Sequence, residues 1–95
     1  MDEDVKISAS IVSLEQGYQT YEDIEMVRLR SQNHTLLIMK NFMPVIGELD
    51  GFVELVFENY TLRISDIKGY YMHKKNEFSL IVSEGMALAQ KVLEE

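Results

Sequence analysis

Apolar and polar residues alternate in short stretches along most of this chain. Val5, Ile7, Ala9 and Ile11 alternate with Lys6, Ser8 and Ser10, which predicts a first strand with one buried face, broken at Gly17. A second short strand is expected from Tyr18 to Tyr21, before Glu22-Asp23 turn the chain. The run IEMVRLR, Ile24 to Arg30, sets Val27 and Leu29 on one face and Arg28 and Arg30 on the other. Ser31-Gln32-Asn33-His34 then reads as a turn, and Leu36 to Met39 is apolar throughout, as in a strand covered on both sides.

The stretch TLLIMKNFMPVIGELDG, Thr35 to Gly51, holds the only proline of the chain, Pro44. Proline cannot donate to a sheet ladder and pushes the preceding residue towards extended geometry, so the chain is expected to leave its sheet there and turn a corner. Asp50-Gly51 suggests a tight turn, after which Val53, Leu55 and Phe57 alternate with Glu54 and Glu58. Asn59-Tyr60 turns the chain back into Leu62 and Ile64, and Lys68-Gly69 punctuates again before Tyr70 to His73. Lys74-Lys75-Asn76-Glu77 makes a last hairpin into Phe78, Leu80 and Val82.

The pattern therefore predicts a mainly β protein, a β-sandwich of about eight to ten short strands. From Ser83, a fair N-cap, the period changes. Met86, Ala89, Val92 and Leu93 follow helical spacing and predict one short amphipathic C-terminal helix, which must pack on something to be stable. The expected organisation is a sandwich domain over residues 1–83 and a helix over 84–95 that is not a separate domain.

Composition narrows the reading further. Ninety-five residues suit one domain, and 46% apolar with 26% charged residues is the balance of a chain that folds rather than one that stays disordered. Cysteine is absent, so the domain stands on its apolar core alone. No apolar run approaches the ~18 residues a membrane span needs, and no apolar leader follows MDEDVK, so a soluble, cytoplasmic protein without direct membrane insertion is expected. The formal charge of −7, with dispersed basic residues, argues against nucleic acid as a partner.

Candidate chemistry is sparse. His34 and His73 lie near expected turns or strand ends with no cysteine or second histidine at ligand spacing, so each is read as a solvated loop residue. The five glycines never form a phosphate-cradling loop, and no serine sits in a nucleophile setting. Neither a catalytic constellation nor a cofactor or metal site is expected. Met39, Met43 and Met72 are either core fillers, the commoner role, or a pliable contact patch.

The order of three segments is distinctive: IEMVRLRS, then LLIMKNFMPVIGELDGFVEL, then IKGYYMHKKNEFSLIVSEGMALA. Over roughly Val5 to Glu84 the chain resembles the N-terminal β-sandwich of the F-type ATP synthase epsilon subunit, called delta in mitochondria, through Ile38, Pro44, Gly51 and Gly69 and their spacing. Where the family has proline-glycine-histidine before its fixed proline, this chain has Lys40-Asn41-Phe42. The family generally appends a two-helix C-terminal domain, of which a sequence ending at Glu95 has room for at most one helix.

The resemblance implies a non-catalytic rotor subunit that couples proton translocation to ATP synthesis by docking the stalk (gamma) subunit and the polar loops of the membrane ring. It would lie peripherally at the inner face of the membrane, held there by its partner subunits. Gln32, Asn33, His34 and Thr35, with Lys40, Asn41, Phe42 and Met43, would form the ring-facing tip. Val56 and Ile81, apolar but out of phase with the core face, are the candidates for the stalk contact, or else a second packed layer. The rival reading is a stand-alone interaction or regulatory sandwich with an unrelated partner.

Overall fold

The computed structural model describes residues 5–92. The alternating stretches become eight strands: β1 (Ile7–Ser13), β2 (Gly17–Ile24), β3 (Met26–Arg30), β4 (Thr35–Met39), β5 (Val45–Val56), β6 (Thr61–Lys74), β7 (Glu77–Glu84) and β8 (Gln90–Lys91). They make one sheet in the order β2-β1-β7-β6-β5-β3-β4, with β8 added to β6. Pairing is antiparallel except between β1 and β7.

One face of this sheet is closed to water. Ile7, Ile11, Val27, Leu29, Ile38, Val53, Leu55 and Ile64 are completely buried, joined by Leu49, Ile67, Phe78 and Leu80. At about 1.5–3 kcal/mol for each large apolar side chain withdrawn from water, this face drives folding. No helix among the described residues covers it, so the sheet must cover itself, and its two longest strands carry the bend. The first half of β5, up to Gly51, pairs only with β6, whereas Phe52 to Val56 also pairs with β3. The register slips between Gly51 and Val53, as it does at a bulge. One layer is thus built from β2, β1, β7 and the distal half of β6 with the first half of β5, and the other from β4, β3 and the remaining halves, with β8.

Several expectations are corrected here. Asp50-Gly51 and Lys68-Gly69 are not turns; both lie inside long strands. These glycines serve close backbone approach instead. A Cβ on Gly51 would sit 2.2 Å from the Arg30 carbonyl oxygen, and one on Gly69 would sit 2.1 Å from that of Ile81. Leu36 to Met39 is an edge strand in which only Ile38 is fully buried, with Leu37 and Met39 exposed. The second strand is longer than Tyr18 to Tyr21, running on to Ile24.

The expected C-terminal helix is absent among the described residues. Gly85 has φ of 101°, which stops the strand without starting a helix. Ala87 is then buried against the core, and its carbonyl accepts a hydrogen bond from Gln19 Nε2 at 3.1 Å. Val92 N donates to Thr61 O at 2.8 Å, so sheet pairing satisfies the backbone that a short helix would have left half unpaired. Leu93, which completed the helical spacing, lies outside the described residues.

The other turns form as the pattern predicts. Ser31 N donates to His34 O, Phe57 N donates to Tyr60 O, and β6 and β7 meet in a two-residue turn whose Lys75 and Asn76 have φ of 51° and 62°. Pro44 is exposed in the loop before β5, where the chain passes from β4, paired to β3, to a stretch paired to β6.

Candidate docking surface

The eight residues expected to form one tip lie at two ends of a strand. Gln32, Asn33 and His34 are in the β3–β4 turn with Thr35 opening β4, all exposed; Lys40, Asn41, Phe42 and Met43 follow its other end. Five strand residues at about 3.3 Å each hold the two groups roughly 16 Å apart.

The turn at 31–35 is anchored from beneath. Ser31 Oγ donates to Glu48 O at 2.9 Å and accepts from Asp50 N at 3.1 Å, so one hydroxyl satisfies the edge of β5 where β3 has ended. Gln32 Nε2 donates to Asp50 Oδ2 at 2.9 Å. In the other loop, Asn41 N donates to Asn76 Oδ1 at 2.7 Å and Asn76 Nδ2 returns a bond to Asn41 Oδ1 at 3.2 Å, latching the loop to the β6–β7 turn. Phe42 is half-buried against the core, edge-on to His73, whereas Met43 is 69% exposed. His73 itself is fully buried on the inward face of β6, not solvated.

Val56 and Ile81 do not share a surface either. Val56 is half-buried on the outward side of the β3–β5–β6 layer, between Met26 and Thr61. In that outward row Glu54 is fully buried and bridges Arg28 on β3 and Arg63 on β6. Burial alone would raise the Glu54 carboxyl; the hydrogen bonds and charges of the two guanidiniums outweigh it and hold the group below its usual value. Arg63 also lies over the Phe52 ring, 4.7 Å from its centre.

Ile81 belongs to a different setting. On the outward face of the other layer it stands opposite Tyr70, and Tyr70 opposite Glu48; one row away Ile46 stands opposite Met72, and Met72 opposite Ser79. Ile46, Tyr70, Met72 and Ile81 are all exposed, the first to 75%. Together with Gly47, Glu48, Tyr71 and Ser79 they line a groove of about 400 Å³. The Tyr70–Ile81 row continues through half-buried Val12 to exposed Tyr18, so an apolar band crosses four strands. Apart from Glu48, which ends the Tyr70 row on β5 and lines the groove, charged residues lie at its borders, with Asp50, Lys68 and Glu84 on one side and Lys74 and Glu77 on the other.

The sequence pattern marks Ile81 as out of phase with the core and gives no sign of Ile46; Met72, either core filler or part of a contact patch on sequence grounds, is exposed like Met39 and Met43. The available signal was Tyr70-Tyr71-Met72, because successive residues of a strand face opposite sides and three apolar neighbours cannot all face the core. Among the described residues no group of three or more His, Cys, Asp or Glu side chains is arranged to hold a metal ion. The surface offers broad apolar contact on a stiff sheet, which suits docking.

No protein-family model and no curated protein matches this chain. Among solved structures, the fold is similar to a chain in the cryo-EM structure of the Tetrahymena thermophila mitochondrial ATP synthase central stalk and c-ring. The TM-score is 0.63 at 14% sequence identity. The two chains share a fold. The match covers 83% of the present chain and 64% of the Tetrahymena chain, and at this identity the likeness is one of fold.

Proposed function

We propose that this protein is a non-catalytic, epsilon-like connector of a rotary ATP synthase, docking the stalk (gamma) subunit through the groove between Ile46, Tyr70, Met72 and Ile81. The observation that carries the reading is that apolar band, displayed on the outside of a sheet whose inner face is already filled, in a fold shared with the Tetrahymena chain. Close-packed layers transmit strain, so a sheet gripped on one face passes torque from ring to stalk with little loss.

The ring contact is assigned to the turn Gln32, Asn33, His34 and Thr35, where every side chain is exposed, because Phe42 of the other loop packs against the core. On this reading the protein sits at the inner face of the membrane through its partners, and the chemistry occurs in other subunits.

Co-expression with the stalk subunit of the same genome is the test. A stoichiometric complex that is lost on combining Ile81→Asp with Tyr70→Ala, while the variant stays folded, is the expected result. Two folded proteins that do not associate would overturn the rotor role and favour a stand-alone interaction domain with another partner.

A further inference from the structure

His73 is a titratable side chain in a site built for an apolar one. It is completely buried and neither ring nitrogen has a hydrogen-bond partner. Its ring lies 6.5 Å from Phe42 and 6.4 Å from Phe78, centre to centre. In the sheet it stands opposite Val45 of β5 and Phe78 of β7. Tyr71, two residues earlier on the same inward face, is the titratable neighbour, and burial raises its phenol so that it stays protonated. The nearby charged residues Lys74, Glu77 and Lys40 are exposed. Burial is the cause that lowers the His73 imidazole, and no counter-charge opposes it.

The walls of this site differ in how they are held. Val45, Tyr71 and Phe78 stand on strands of the sheet, whereas Phe42 comes from the β4–β5 loop. That loop is fixed by bonds near solvent: Asn41 with Asn76 in both directions, and Phe42 N donating to Met39 O at 3.1 Å. An imidazolium cannot remain in the site without water or a partner, and lifting Phe42 lets water in without breaking a strand pair.

We propose that the loop of residues 40–44 is an acid-released cover: protonation of His73 swings Phe42 out and hydrates the imidazolium. The sign follows from linkage. The closed form prefers neutral His73 and the open form an ordinary imidazole, so opening takes up a proton. The open fraction rises up to tenfold per pH unit below about 6.5, until the closed form itself protonates. The device does not depend on the docking reading.

The test is residue-resolved amide exchange from pH 8 to 5, corrected for intrinsic rates, alongside the NMR titration of the His73 ring. Exchange at Asn41 and Phe42 should rise several-fold on acidification while β3 and β6 amides stay protected, and His73→Leu should abolish the rise. Phe42→Ala, which removes the cover, should move the His73 midpoint up towards its ordinary value. Equal acid response in wild type and His73→Leu would overturn the proposal. So would a His73 that titrates only as the whole sheet exchanges, or one that titrates at its ordinary value beneath an unmoved loop.

Discussion

Replacing Arg28 and Arg63 together by alanine removes both counter-charges of the buried Glu54 carboxyl. The two arginine side chains are themselves 45% and 42% exposed, so their attraction for Glu54 is partly screened by solvent. The carboxyl itself is not exposed at all. At pH 7 it must take up a proton to stay in place, which costs about 3–4 kcal/mol, from roughly 1.4 kcal/mol per unit across the ~2.7 units between pH 7 and an ordinary glutamate. Urea denaturation followed by circular dichroism measures this; with a slope of about 1.3 kcal/mol per molar, the midpoint should fall by about 2–3 M. The deficit should also shrink with acid. Wild-type Glu54 titrates below its usual value, so its stabilisation is present above that value and lost as pH falls through the native one. In the double variant the native carboxyl titrates high, so most of the deficit closes between pH 7 and about 4.5 and the rest as pH falls through the lowered wild-type value. Adding Glu54→Leu should restore most of the loss, because an apolar residue needs no partner. A deficit below about 1 kcal/mol at pH 7, or one that ignores pH, would refute the reasoning.

Two further predictions use the same denaturation assay. Gly69→Ala should cost about 1–3 kcal/mol, because the new Cβ meets the Ile81 carbonyl across paired strands, and backbone there yields only by parting them. A cost below about 0.5 kcal/mol would show that the strands tolerate the spread. Phe42→Asp should cost about 2–4 kcal/mol through lost packing on His73, whereas Met43→Asp next to it should stay within about 0.5 kcal/mol. Equal costs would mean that the loop presents both side chains alike.

Much of the sheet was legible in the alternation of side chains. Ile7, Ala9 and Ile11, Val27 and Leu29, Val53 and Leu55, and Phe78, Leu80 and Val82 all face inward as their spacing requires. The length of β5 and β6 was not legible, because Gly51 and Gly69 look like turn residues in the sequence and act as points of close contact between strands that meet only in three dimensions. The same holds after Gly85: local spacing favours a helix, and a hydrogen bond to Thr61, some thirty residues earlier in the chain, selects an extended path. His73 looked like a strand-end residue near a charged turn, yet its position on the inward phase of β6, beneath Phe42, buries it. For the docking surface, one residue of a strand gives the phase and the neighbours come from pairing. Phase alone marks Ile81; placing Ile46 and Tyr70 beside it needs the register that aligns β5, β6 and β7.

On the proposed function, the outward face of β5, β6 and β7 meets the stalk subunit. Hydrogen-exchange footprinting of the complex with the cognate stalk subunit, against the free protein, tests it most directly. Added protection should fall on residues 46–48, 70–72 and 79–81 and spare the Arg28–Glu54–Arg63 face. Protection confined to that opposite face, or to the two ends of β4, would contradict it.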